Sequence, residues 1–242
     1  MTQANIDLSL VYGIHPILEL LKAKRRSLRM IYTTRPEPQA WGQIRRLLPA
    51  HVPISYVSRS QLTHMAGTAD HQGVVAQAAP FQFRKKPFDP QRSPFLIALD
   101  GIQDPRNLGA IIRSAYCTGV GGILISRKQS APLNAVALKS SAGLAEHMEI
   151  CEVASLAPAL QELKKAGYTN YIAALGGSDI RKTTLKQPLC IVIGSEGVGV
   201  SAAVLAQGER VMLPQRTADI SYNASVAAGI LLFTVATQNN FI

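Results

Sequence analysis

After Pro94 the sequence alternates short, almost uninterrupted apolar runs with stretches of helical period; the runs fall at 95–99, 122–125, 148–153, 171–175, 189–193 and 211–213. A strand with one wet face would alternate apolar and polar residues. Runs this continuous belong to strands covered on both sides, which requires a parallel sheet with helices on each face. The last helical stretch, 223–237, is apolar nearly all round and is expected to pack against that sheet or against a second subunit.

The chain before Pro94 reads as a separate, smaller α/β domain. Ile14, Ile17, Leu18 and Leu21 fall at i, i+3, i+4 and i+7, one stripe of an amphipathic helix. Lys22, Lys24, Arg25 and Arg26 follow it, where cations favour the negative end of the helix dipole. Strands are expected near 30–33, 54–57 and 74–78, with helices near 39–48 and 59–65. The segment PFQFRKKPFDPQRSP (80–94) sustains neither period and reads as a linker. Its Arg84, Lys85 and Lys86, interleaved with Phe81, Phe83 and Phe88, suit either stacking on single-stranded RNA or simple tethering. The expected divisions are 1–79, a linker over 80–93, and 94–242.

The net charge of +10 is local. Up to Ser93 there are 13 Lys and Arg against 5 Asp and Glu, whereas the remainder carries 12 against 10. A basic surplus confined to one module suits neutralisation of nucleic-acid phosphates, although a solvated basic face gives the same count. The three cysteines, Cys117, Cys151 and Cys190, are too few and too scattered for a disulfide framework or a zinc knuckle, and are expected to be buried thiols. No stretch approaches the ~20 apolar residues of a membrane span, and the amino terminus lacks the pattern of a signal peptide, so a cytoplasmic protein is expected.

Three junctions place polar or glycine-rich residues where apolar strands end, the usual ligand position in an open α/β sheet. In LDGIQDPRNLGAIIRSA (99–115), Leu108, Ile111, Ile112 and Ala115 share one helix face, so Arg113 projects from another and Asn107 lies in the first turn. In IVIGSEGVG (191–199) a strand enters a turn rich in glycine, with Glu196 inside it. The spacing there matches neither the dinucleotide fingerprint nor the phosphate loop. In VMLPQRTADISYNASVAAGILLF (211–233), Ser221 and Asn223 stand at the start of a helix, where capping alone would also explain them.

In this order and spacing, DPRNLGAIIRSA, GSEGVG and LPQRTADISYNASVA resemble the three motifs of the SpoU/TrmH family of RNA ribose methyltransferases. The segments YGIHPILELL and HQGVVAQ resemble the substrate-binding domain of that family's ribosomal-RNA members, which is similar to ribosomal protein L30e. The resemblance implies an L30e-like α/β domain followed by a SPOUT-type α/β domain with a parallel sheet and a trefoil knot; periodicity alone would draw an unknotted doubly wound sheet. It also implies S-adenosylmethionine as cofactor, no metal, RNA as partner and a homodimer formed through the carboxy-terminal domain. By position, Asn107, Arg113, Glu196, Ser221 and Asn223 match active-site residues. Leu175, Gly176, Gly194, Leu213 and Tyr222 match residues around the cofactor, with Tyr222 standing where leucine is usual. The family form it resembles most methylates the ribose 2'-hydroxyl of a guanosine in the bacterial large-subunit (23S) ribosomal RNA. A transfer-RNA ribose methyltransferase and a non-catalytic RNA-binding or ribosome-assembly protein are the alternatives. A nicotinamide-dependent oxidoreductase would need the glycine fingerprint that is missing.

Overall fold

The structure, a computed structural model, describes residues 9–127, 130–217 and 220–242. Ala218 and Asp219 of the third motif-like segment lie outside them, as do residues 1–8, on which the signal-peptide reading partly rests. The chain forms two compact units, one made of Met1–Gln82 with Leu133–His147 and the other of Phe83–Pro132 with Met148–Ile242. The units therefore follow packing and not chain order: a stretch from within the expected second domain folds with the first.

The first unit is a four-stranded sheet of β1 (Ser9–Tyr12), β2 (Leu28–Thr33), β3 (Ile54–Tyr56) and β4 (Val74–Ala78), in the order β1-β4-β2-β3. β4 runs antiparallel to both neighbours, and β2 is parallel to β3. Its helices are α1 (Ile14–Ala23), α2 (Trp41–Leu47), α3 (Arg59–Ala66) and, from the inserted stretch, α5 (Ala135–Ser140). The α1 stripe is buried as its spacing predicts, and α3 starts at a capping box in which Ser58 and Gln61 each bond the other's backbone N–H. The edge strand β1 is four residues long and has no clear alternation, which is why its sequence gives no strand signal.

Arg26 is not a surface cation. Its side chain is 1% exposed and forms a two-pronged ion pair with the equally buried Glu146 of the inserted stretch. The remaining guanidinium nitrogen donates to Ser9 Oγ at 2.6 Å and to the Ala79 carbonyl at 2.9 Å. Arg26 thus binds β1, the end of β4 and the inserted stretch together, and is lost to any phosphate-binding surface.

His71, also fully buried, is held neutral by its partners. Its Nδ1 accepts the Gly73 N–H at 3.0 Å. The Thr63 hydroxyl donates to the Arg59 carbonyl and so must accept from His71 Nε2, 3.1 Å away. Burial, then the charge of Arg59, push this imidazole below its ordinary 6.5. The unfolded chain therefore takes up this proton first, so the stabilisation is complete above about pH 6.5 and is lost as pH falls toward the folded value. The urea midpoint of this unit, followed by fluorescence of Trp41, the only tryptophan, should fall between about pH 7 and 5. In His71→Gln that pH dependence should flatten; an unchanged slope would show that other groups set it.

The second unit is a six-stranded, wholly parallel sheet in the order β10-β8-β9-β5-β6-β7. Its strands are β5 (Phe95–Asp100), β6 (Gly122–Ser126), β7 (Ile150–Val153), β8 (Thr169–Asp179), β9 (Leu189–Gly194) and β10 (Glu209–Met212). Helices α4 (Pro105–Cys117), α6 (Leu156–Lys165), α7 (Ala202–Leu205) and α8 (Ala224–Gln238) cover it. A simply wound sheet would place β8 beside β5 and β9 outside it. Here β9 lies between them, so the unknotted doubly wound order that periodicity suggests does not hold. The pattern of alternating apolar runs says which segments are strands, but not which neighbours they take.

Two further expectations change. Phe88 of the expected linker is 5% exposed and packs into this unit's core against Leu96, Leu124 and Tyr168; its ring occupies the space that a side chain at Gly122 would need. Arg84 lies over the Phe88 ring at 4.9 Å and pairs with Glu149 at 3.1 Å. From Phe83 onward the segment is docked, and Phe88 is not available to stack on RNA. Of the three cysteines only Cys190 is buried; Cys151 is half-buried and Cys117 is exposed, because it falls opposite the Leu108, Ile111, Ile112, Ala115 face of α4.

Candidate active site

The three polar junctions meet at the carboxyl ends of the parallel strands. β9 runs into the Gly194–Ser195–Glu196 turn, which closes on itself through reciprocal backbone bonds between Ser195 and Gly199. A side chain on Gly194 would lie 2.2 Å from the Gly199 carbonyl carbon, so this tight return admits only glycine there. Asp104 caps α4 by accepting the Arg106 N–H at 2.8 Å, which fixes Asn107 one turn in. Asn223 caps α8 in the same way, accepting the Ser225 and Val226 N–H groups.

These three anchors deliver their side chains to one carboxylate oxygen. Glu196 Oε1 accepts from Asn107 Nδ2 at 2.5 Å, from Asn223 Nδ2 at 2.6 Å and from the Ala224 N–H at 3.3 Å. The Asn223 amide also reaches Asn107 Oδ1 at 3.4 Å. Residues 89 and 116 apart in sequence are thus locked into one polar cluster. The carboxylate additionally lies against the amino-terminal end of α8, where the helix dipole favours negative charge.

The cluster borders two adjoining cavities. The larger, of 520 Å³, is walled by Leu175, Ile193, Leu205 and Leu231 and carries Ser195, Glu196, Gln215, Ser221 and Tyr222 at its polar side. The smaller, of 220 Å³, lies between Gln103, Asp104, Asn107 and the Glu196 turn. Gly197 lines both, with open space where a side chain would point. The larger opens beside an irregularity in β8: Ile172 and Ser178 pair with consecutive residues of β10, so residues 173–177 bow out of the ladder, with Gly176 at φ +75°.

The cofactor-matched residues Leu175, Gly194, Leu213 and Tyr222 line the larger cavity, and Gly176 follows directly behind Leu175 without lining it. Glu196 borders both cavities, Asn107 the smaller and Ser221 the larger, while Asn223 joins through its bonds to Glu196 and Asn107. Arg113 stands apart. It is exposed on the outer face of α4, lines neither cavity and makes no hydrogen bond or ion pair among the described residues. Ser195, Gln215 and Gln103 are polar lining residues that the sequence reading did not single out. Each lies inside a segment it did quote, but only the folded loops show which side chains turn inward.

A model of the SpoU rRNA methylase family matches residues 94–233, and one of the RNA 2'-O ribose methyltransferase substrate-binding domain matches residues 10–84. YacO of Bacillus subtilis, named for the TrmH family of tRNA/rRNA methyltransferases, is 34% identical over 239 residues, covering 95% of this chain and 96% of its own. An uncharacterized tRNA/rRNA methyltransferase of Mycobacterium avium is 35% identical over 239 residues, 94% of this chain and 77% of its own. The crystal structure of an RNA 2'-O ribose methyltransferase aligns with a TM-score of 0.82 at 21% identity, over 96% of this chain and 89% of that one. The SpoU methyltransferase AviRb of Streptomyces viridochromogenes, in complex with the cofactor AdoMet, aligns with a TM-score of 0.80 at 23% identity, over 96% and 91%. At these identities the structures speak for the shared fold. Matched by both models and by relatives along nearly its whole length, the chain belongs to the SpoU family of RNA methylases, with an RNA 2'-O-ribose methyltransferase substrate-binding domain ahead of its methylase domain.

Proposed function

We propose that this enzyme transfers a methyl group from S-adenosylmethionine to the ribose 2'-hydroxyl of a guanosine in large-subunit (23S) ribosomal RNA. The observation that carries the reading is the bonding of Asn107 and Asn223 to Glu196 at the mouth of a cavity built from strand ends. At 520 Å³ the cavity is within the range of small-molecule sites, about 300–1,000 Å³. Its chemistry fits the cofactor: leucine and isoleucine walls suit an adenine ring, polar groups at one side suit its ribose and amino-acid ends, and the Glu196 carboxylate suits a cationic sulfur.

When bound, S-adenosylmethionine supplies a methyl group on a positively charged sulfur that leaves neutral, so the protein needs no acid to assist departure. The protein's own tasks are alignment, worth ~7 kcal/mol, and help with the poorly acidic 2'-OH proton. Glu196 is tied by three donors and is suited to orienting, with Asn107 and Asn223 holding it in place. Ser221 is placed to hydrogen-bond substrate or cofactor. Arg113 is assigned to the target phosphate and the developing alkoxide: a guanidinium is not deprotonated in proteins, so a clamp is a cheaper role for it than a base.

Arg113 lines neither cavity of its own subunit, so it is proposed to serve the site of a second copy. The surface supports a pair: Val226, Ile230 and Phe233 on the outer face of α8 are 49%, 38% and 57% exposed, and Tyr116 on the Arg113 face of α4 is 44% exposed. Apolar residues at i, i+4 and i+7 on one helix face call for a partner of like character. Sedimentation equilibrium tests this directly, and a monomer at all concentrations would remove it.

The lean toward ribosomal RNA rests on the separate basic domain, which suits a large structured substrate better than a small one. Incubating the protein with labelled S-adenosylmethionine and unmodified 23S, 16S and transfer RNA, then mapping the label, tests the whole reading. Label on a 23S guanosine ribose is expected. Label on transfer RNA alone would move the substrate, and no label on any RNA would defeat the assignment.

A further inference from the structure

We infer that one end of the four-stranded sheet is the RNA-contacting edge of the first unit, with Lys139 binding a backbone phosphate and the Arg35–Tyr56 pair stacking an unpaired base. This rests on RNA being the substrate; the sheet register supplies the location. Tyr12 pairs with Val75, Thr33 with Val74, and Thr33 with Tyr56, so the carboxyl ends of β1, β2 and β3 and the start of β4 coincide at one end of the sheet. Arg35, Arg59 and Gln72 all follow or precede those strand ends by a few residues.

Lys139 reaches this edge from the inserted stretch, within the part of the chain matched by the methylase model and not by the substrate-binding one. Lys139 is half-buried as a residue; its ammonium donates to Gln72 Oε1 at 2.7 Å, in an exposed contact, and lies 5.9 Å from the Tyr12 ring centre. No carboxylate lies within ion-pair distance of it among the described residues; Asp70 acts on it only from further off. Burial lowers its proton affinity, and the more distant charge of Asp70 offsets this only in part. Gly13 is the residue that makes room: a side chain there would lie 2.4 Å from Lys139 Nζ. A phosphate oxygen would supply the missing counter-charge.

At the other side of the same edge, the exposed Arg35 guanidinium lies 4.1 Å from the centre of the Tyr56 ring. The Tyr56 hydroxyl donates to Glu37 Oε1 at 2.9 Å, which fixes the ring. Arg35 and Arg59 have no ion-pair partner among the described residues. A fixed aromatic stacked with a free guanidinium is the kind of platform on which splayed RNA bases stack, and neighbouring cations keep the phosphates close. Among the described residues Glu37 is the one carboxylate bonded into the platform, and it can accept from a base amino group but repels phosphate.

The test is binding of an unmodified 23S ribosomal RNA transcript to the full-length protein over a series of KCl concentrations. Lys139→Gln should weaken binding and reduce the slope of log affinity against log salt by about one. Tyr56→Ala should weaken binding about 5- to 100-fold with the slope unchanged, whereas Tyr56→Phe should bind like the unmutated protein. Trp41 emission reports whether the first unit of each variant is folded. With that unit folded, an unchanged slope in Lys139→Gln together with Tyr56→Ala within about two-fold of the parent would overturn the inference. Failure of the unmutated protein to bind any RNA would instead overturn the substrate reading, and this edge with it.

Discussion

Replacing Arg113 with alanine is expected to abolish methyl transfer, by about 100-fold or more, while S-adenosylmethionine binding measured by calorimetry stays as it was. The side chain is exposed and has no partner among the described residues, so its loss should leave stability within about 0.5 kcal/mol. A fall in activity therefore cannot be put down to unfolding. Arg113→Lys sharpens the result: the point charge still attracts a phosphate, but the planar two-pronged donor is gone, so activity should remain far below that of the parent. Full activity in either variant would remove Arg113 from the mechanism. Mixing Arg113→Ala with Asn223→Ala subunits separates the two possible arrangements. If Arg113 serves the other copy, a mixed pair contains one intact site and regains activity; if it serves its own, no site is intact and the mixture stays dead.

The largest effect on stability is expected at Glu146. Glu146→Ala leaves Arg26 buried, 1% exposed, with no counter-charge, and should destabilise the first unit by about 3–5 kcal/mol. Urea unfolding followed at Trp41 measures this unit apart from the second, because the protein has no other tryptophan. The double variant Arg26→Met, Glu146→Leu removes both charges and should recover much of that loss, since burying an ion pair gains little over apolar packing of similar volume. A single variant within about 1 kcal/mol of the parent would mean that water or a rearranged neighbour reaches the guanidinium.

Local elements were largely legible because they follow from periodicity. β4 falls at the expected positions 74–78, and the buried stripes of α1 and α4 are those given by i, i+3, i+4 spacing. The strands of the second unit were recognisable as doubly covered because their apolar runs are short, nearly continuous and separated by stretches of helical period. The helix start at Asn223 was legible for a chemical reason, since a short acceptor side chain satisfies N–H groups that the helix leaves open. Family motifs added the candidate residues, and the folded loops set most of them around the same two cavities.

Three things escaped because they depend on partners distant in sequence. Arg26 looked like one more cation after a helix, and only the packing of residues 133–147 beside it reveals Glu146 and a buried pair. Phe88 looked like part of a tether, and only the absence of a side chain at Gly122 makes the space it fills. Arg113 entered the candidate set through the family motif, and only the folded chain shows that it lines neither cavity of its own subunit.

By itself, then, the sequence determined most of the strands and helices, most of their buried faces and which loops are polar, since each of these is settled by residues a few positions apart. Only the tertiary structure decided that β9 enters between β5 and β8, that a stretch of the methylase half folds with the first unit, and that Asn107, Glu196 and Asn223 share one oxygen. The physical reason is that strand order and side-chain convergence are set by contacts closed over long loops. Such contacts leave no period in the chain for a local pattern to report.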